Sequence, residues 1–300
     1  MSHRSLVSKC VFVRNGERLM TETAERPSRV KPTPAVYDDF LECFLKLECN
    51  NPSGSHKDRE TLYLVNKFGW DKSYIVISSG NAGISLAYWM KEKATVLVPE
   101  ITPREKTDAI EKYGANIIVK GEYYYDSYKL VETIARRKRL INISPGFADR
   151  WMGDKSISYE LRPLHLDYVF VPSANHTLAY GVAHGFQQML DEGEAVKLPM
   201  IVSCVVPNHP FVNLTEEIEE QIKQSFSSIY THGGEGENLE RRFLHFPFTR
   251  VESTQELSLV LRLGEKYPKY DPAVLLAMKI SKKFPGKKAV IVTGIKRSTC

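Results

Sequence analysis

Tyr74-Ile75-Val76-Ile77-Ser78-Ser79-Gly80-Asn81-Ala82-Gly83-Ile84 holds a complete strand, turn and helix start. An aromatic residue and three β-branched ones in a row suit a strand covered on both faces, and the small-residue turn opens a helical pattern over Ile84–Lys93. Outward from this unit the alternation repeats. Strands are expected at Thr95–Val98, Asn116–Val119, Leu140–Ile143, Tyr168–Val171, Met200–Val206 and Ala289–Val292. Helices are expected at about Pro103–Tyr113, Ser127–Lys138, Lys155–Leu161, Leu178–Leu190, Leu214–Tyr230 and Pro272–Phe284. Strand, helix and strand in succession require parallel pairing through a right-handed crossover. The fold class is therefore α/β, doubly wound, with mostly parallel sheets, and 300 residues suit two domains around a cleft.

Composition narrows the function. Hydrophobic residues make up 42% and charged ones 26%, as in globular proteins, and no apolar run reaches the roughly 18 residues that span a bilayer. No membrane association is expected, and the mixed N-terminal stretch points to a cytoplasmic protein. Cys10, Cys43, Cys49, Cys204 and Cys300 are odd in number and scattered, which argues for reduced thiols and no metal site. A net charge of +5 is modest; the one basic run, Arg136-Arg137-Lys138-Arg139, ends a helix, where cations suit the dipole, so no nucleic-acid partner is expected.

In an open α/β sheet, ligands lie beyond the carboxyl ends of the strands, so the residues following each strand carry the functional reading. Asn51-Pro52-Ser53-Gly54-Ser55-His56-Lys57-Asp58-Arg59 follows the apolar run Phe44–Leu47 and precedes the helical pattern Thr61–Phe68. Gly54 permits a tight turn, and Ser55 with Asp58 has the form of a capping box. Lys57 then falls in a helix's first turn, where the dipole disfavours a further positive charge, and a readily neutralised lysine suits bond formation to a carbonyl. An ordinary surface lysine is the alternative.

Ser78-Ser79-Gly80-Asn81-Ala82-Gly83 exposes successive N–H groups and two hydroxyls at a helix start, a cradle for a carboxylate or phosphate, with Asn81 able to donate and accept. Ser173-Ala174-Asn175-His176-Thr177 follows another strand and could hold a second anion, and Thr293-Gly294 brings a hydroxyl past the last strand.

Together these segments resemble the fold type II pyridoxal 5′-phosphate (PLP) enzymes, which include threonine synthase, cysteine synthase, threonine dehydratase and the tryptophan synthase β subunit. Leu45-Lys46-Leu47-Glu48 with Asn51–Arg59 is similar to the cofactor-lysine motif, which implies that Lys57 is the Schiff-base residue. The Ser78–Gly83 segment resembles the loop that grips the substrate carboxylate, implying substrate contacts from Ser78, Ser79, Gly80, Asn81 and Ala82, and a cofactor contact from Asn81. Gly153–Glu160 is similar to a family helix, and Thr293-Gly294 resembles the threonine synthase ending, whose hydroxyl meets the pyridine nitrogen.

The resemblance implies PLP as cofactor, a small amino-acid substrate and a homodimer. It also implies a larger domain of residues 1–51 with 151–300, and a mobile smaller domain of residues 52–150. The expected activity is elimination or replacement at the β or γ carbon, threonine synthase-like, with cysteine synthase or serine/threonine dehydratase as alternatives. For a phosphorylated substrate His56, Arg59 and Lys155 are candidate cations. The phosphate loop departs from the family's glycine-rich form: Ser173, Asn175, His176 and Thr177 replace the lost backbone contacts, or cofactor binding is weak and the chain is a degenerate ligand-binding relative. His56 before the lysine is unusual and is a candidate cofactor or substrate contact.

Overall fold

The computed structural model describes residues 29–78, 80–173, 177–194, 197–205 and 266–295, together with Leu263 and the short strands at 12–14, 17–19 and 248–252. The first two of those strands, β1 (Phe12–Arg14) and β2 (Glu17–Leu19), form an antiparallel hairpin. The rest of the strands make two sheets.

The larger sheet has six strands: β3 (Ala35–Asp38), β4 (Cys43–Lys46), β9 (Tyr168–Ser173), β10 (Met200–Val205), β11 (Phe248–Glu252) and β12 (Lys288–Ile291). Their order is β11-β10-β9-β12-β4-β3, parallel throughout except for the edge strand β3. The smaller sheet contains β5 (Tyr74–Ile77), β6 (Ala94–Val98), β7 (Asn116–Val119) and β8 (Ile141–Asn142), all parallel, in the order β7-β6-β5-β8. The helices are α1 (Lys57–Phe68), α2 (Asn81–Met90), α3 (Arg104–Glu111), α4 (Tyr124–Lys138), α5 (Trp151–Leu161), α6 (Thr177–Asp191) and α7 (Pro272–Ser281).

Burial explains the patterning. All four residues of β5, all five of β6 and all four of β12 are buried, because helices cover both faces, and no polar alternation survives there. The edge strand β7 exposes Asn116 and Val119 instead. The larger sheet carries a core on each face, one built on Phe170, Val202, Leu275 and Val290, the other on Val169, Val171, Val182 and Ile291.

Helix α5 packs between α1 and α6, and this wedge positions the site. A Cβ at Gly153 would lie 2.3 Å from the Arg59 carbonyl oxygen, so only glycine allows α5 to approach α1 this closely. Parallel pairing puts the carboxyl ends of β4, β9 and β12 at one edge of the larger sheet, and the chain leaves those ends toward Lys57, Thr177 and Thr293. The expected helix Leu214–Tyr230 lies outside the described residues, as do Ser79 and Ala174, Asn175 and His176.

Candidate active site

The residues after β4 turn back across the sheet edge. The His56 N–H donates to the Thr293 carbonyl at 3.0 Å, and Ser55 bridges Gly294, so the Lys57 segment and the chain after β12 are directly bonded. Asn81, first residue of α2, reaches the same place: a Cβ on Gly294 would come within 2.8 Å of its amide nitrogen. Three segments far apart in sequence thus meet around Lys57, whose side chain is 19% exposed.

Local structure at the lysine differs from expectation in one respect. The helix opens at His56 without a side-chain cap, and the Ser55 hydroxyl is buried without a hydrogen-bond partner among the described residues. Asp58 instead reaches back to the Ser53 N–H at 2.7 Å and accepts from the Ser85 hydroxyl at 2.6 Å, which ties the turn to α2. The expected Ser55–Asp58 capping box is therefore not made: the acid bonds the Ser53 backbone instead of the Ser55 backbone, and the serine hydroxyl is left without a partner among the described residues. Ser78 is buried and its hydroxyl accepts from the Gly80 N–H at 3.1 Å, while Gly80 itself borders open space. Ala82 is half-buried. Ser173 ends β9 with its hydroxyl 3.2 Å from the Val171 carbonyl, and Thr177 begins α6.

The electrostatics around Lys57 were not legible in the motif. Lys57 Nζ donates to Glu60 Oε1 at 2.5 Å, and Glu60 is fully buried. The other Glu60 oxygen accepts from Arg150 Nε at 2.6 Å and pairs with the same guanidinium through Nη2, while Arg150 Nη1 donates to the Ile143 carbonyl. Burial alone would raise the Glu60 carboxyl, but Arg150 and Lys57 outweigh it and hold it well below the usual carboxylate range.

Asp154, one helical turn into α5, is fully buried with both oxygens lacking a partner among the described residues. Burial, and then the neighbouring Glu60 charge, push its carboxyl well above the ordinary range, which favours the neutral acid form beside Glu60. One oxygen or nitrogen each from His56, Glu60 and Asp154 lies within 4.8 Å of the others. His56 is neutral: burial, with Lys57 beside it, lowers its ring to about 4.

A second buried network explains why the lysine turn is rigid. Arg59 grips Glu48 through Nε at 2.7 Å and Nη2 at 2.8 Å, and Glu160 through Nη1 at 2.6 Å and Nη2 at 2.9 Å. Lys46, fully buried on β4, adds Glu160 at 2.5 Å and the Thr33 hydroxyl at 2.6 Å. Two cations balance two carboxylates, and strand β4, helix α1 and helix α5 are locked together. The expectation that Arg59 could meet a substrate phosphate is overturned here, since it is 3% exposed and its guanidinium is occupied by two carboxylates. Lys155, on α5, has its amine 6.0 Å from the centre of the Trp151 ring.

The family model described as "pyridoxal-phosphate dependent enzyme" matches residues 27–252. Among curated proteins, human L-serine dehydratase/L-threonine deaminase is 30% identical over 157 residues, covering 49% of this chain and 46% of the relative. A catabolic L-threonine dehydratase of Staphylococcus aureus is 29% identical over 180 residues, covering 53% of this chain and 52% of the relative. The chain thus spans about half the length of the curated relatives it matches. Among solved structures, threonine deaminase isoform 2 of Solanum lycopersicum aligns over 90% of this chain and 81% of its own with a TM-score of 0.68 at 16% identity. An O-acetylserine dependent cystathionine β-synthase of Helicobacter pylori aligns over 92% and 96% with a TM-score of 0.66, also at 16% identity. These structural likenesses establish the fold.

The described residues fit the cofactor that this family uses. The lysine turn is bonded to the chain after β12, the Ser55 hydroxyl there is buried without a partner among the described residues, and glycine at 294 leaves room beside the Asn81 amide.

Proposed function

The chain belongs to the pyridoxal-phosphate-dependent enzymes, and we propose that its reaction is the elimination of water from a small hydroxy amino acid, serine or threonine. The observation that carries this choice over a threonine synthase-like replacement is the commitment of Arg59. A phosphorylated substrate needs free cations beside the reacting centre, and the Arg59 guanidinium, two residues along the chain from the lysine, is already paired with Glu48 and Glu160, while Arg150 is paired with Glu60. The buried Glu60 carboxylate beside Lys57 would oppose a phosphate further. A substrate whose leaving group is a plain hydroxyl meets neither obstacle.

Lys57 would hold the cofactor and, once released, move the proton at the substrate's α carbon. Ser78, Ser79, Gly80 and Ala82 would grip the substrate carboxylate through N–H groups and hydroxyls at the start of α2, with Asn81 oriented toward the cofactor ring. Ser173 and Thr177, with Ala174, Asn175 and His176, would take the cofactor phosphate, and Thr293 would present its hydroxyl to the ring nitrogen. His56, neutral and bonded to Thr293, would line the substrate side. When bound, the cofactor supplies the electron withdrawal that loosens bonds at the α carbon. Closure of residues 52–150 would exclude water, and assembly as a homodimer completes the reading.

The test is a substrate panel. Protein loaded with PLP is given serine, threonine, O-acetylserine, O-phosphoserine and O-phosphohomoserine, and 2-oxo acid release is followed alongside amino-acid products. Oxo acid from serine or threonine, lost in Lys57→Ala, is expected. Threonine from O-phosphohomoserine would restore the synthase reading, and bound cofactor with no product from any substrate would mark a degenerate relative.

A further inference from the structure

Most of the motifs in the lysine turn are absorbed by the reading above, but Glu60 and Asp154 are not. We infer that Glu60, fixed in place by Arg150, is the counter-ion of the Lys57 nitrogen before and after that nitrogen bonds the cofactor. This rests on Lys57 being the cofactor lysine.

The geometry is restrictive. Glu60 lies three residues after Lys57 on α1, fully buried, with Oε1 at 2.5 Å from Nζ. Its other oxygen is clamped by Arg150, so the carboxylate cannot swing aside when the lysine changes chemically. The groups facing it are His56 and Lys57 from α1, Arg150 before α5 and Asp154 on α5, with Glu48 acting on Asp154 from further off. Among the described residues, the ion pairs of Glu60 with charged side chains are those with Lys57 and Arg150; burial lowers the His56 ring to about 4, and burial with the Glu60 charge raises the Asp154 carboxyl.

The bond-forming step balances overall. Nζ first sheds one of the ammonium's three hydrogens, because only the free amine has the lone pair that attacks the aldehyde carbon; that proton passes to the carbonyl oxygen, which leaves as water with a second hydrogen, and one hydrogen stays on the nitrogen of the new C=N bond. The nitrogen is cationic at both ends of the step, so one carboxylate, fixed in place by Arg150, serves both states. A protonated C=N carbon is also the better target for the amino group of an incoming substrate.

The experiment reads that proton directly. Full-length protein is loaded with PLP, and the absorbance of the lysine linkage is titrated from about pH 5 to 10, since protonated and neutral C=N forms absorb at different wavelengths. Wild type, Glu60→Gln, Glu60→Asp and Asp154→Asn are compared, with borohydride fixation and peptide mass locating the linkage at Lys57. We expect the midpoint to fall by about two pH units in Glu60→Gln, roughly a 100-fold weaker hold on the proton. A smaller fall is expected in Glu60→Asp, and none in Asp154→Asn. Should Glu60→Gln fail to fold because Arg150 is left unpaired, Glu60→Asp decides. An unmoved midpoint in the Glu60 variants, or a fall in Asp154→Asn, overturns the inference while leaving the cofactor reading intact. Wild-type protein that forms no linkage overturns both.

Discussion

Replacing Asp154 with asparagine should stabilise this protein, and by an amount that grows with pH. The side chain is fully enclosed between α1 and α6, its oxygens without a partner among the described residues, and its carboxyl is raised first by burial and then by the Glu60 charge. In the unfolded chain the same carboxyl ionises near its ordinary value of 3.8. The folded state therefore holds a proton that the unfolded state releases, and stability is lost as pH rises from that value toward the raised one. Within this window the loss is about 1.4 kcal/mol per pH unit. Asparagine has nearly the same shape and does not titrate. Urea unfolding of wild type and Asp154→Asn, at half-unit steps from pH 4 to 8, should give curves that diverge with this slope and then run parallel above the folded midpoint. Curves parallel over the whole range, or a variant that is the weaker at every pH, would refute the assignment of a buried proton to Asp154.

Other residues give separate tests. Arg150→Met leaves Glu60 buried against Lys57 alone and removes the bond to the Ile143 carbonyl, which should cost about 3–5 kcal/mol in chemical unfolding. His56, lowered to about 4 by burial, protonates in the unfolded chain near 6.5, so it withdraws stability as pH falls between those values. That withdrawal approaches about 3 kcal/mol at pH 4 and should be absent in His56→Gln, measured by thermal unfolding at pH 7 and 4.5. Gly294→Ala pushes a methyl to 2.8 Å from the Asn81 amide, so cofactor affinity, followed by absorbance titration, should drop at least about tenfold with circular dichroism unchanged. Gly153→Ala places a methyl 2.3 Å from the Arg59 carbonyl, and forcing α5 off α1 should lower stability by about 1–3 kcal/mol.

How much of this was legible follows from sequence distance. Strands β5, β6, β9, β10 and β12 were readable as short β-branched runs, since a parallel strand buried on both faces must be apolar throughout, and the edge strand β7 was readable from its Ile117-Ile118-Val119 run despite its exposed ends. Glycine and small residues after β5 marked the turn into α2 because the helix start must expose N–H groups there. The edge strand β3 escaped, since Val36 and Tyr37 are half exposed and the pattern neither alternates nor stays apolar. Parallel pairing of β12 with β4 puts the lysine turn and Thr293 at one edge, whereas Asn81 follows β5 of the other sheet and its place beside Gly294 is not fixed by that pairing.

Charge partnership across helices was harder to read. Glu48, Arg59 and Glu160 each look like ordinary surface residues, and only the approach of α5 to α1 makes them a buried network. Gly153 was the available signal: a glycine inside an otherwise sound helix marks a close backbone approach, and the side chains next to it, Asp154 and Glu60, are then brought together out of water. Two acids at such a crossing cannot both ionise without matching cations. Lys57 and Arg150 meet that requirement for Glu60, the proton on Asp154 meets the rest, and the amine expected to be neutralised by a helix end is instead held beside a fixed carboxylate.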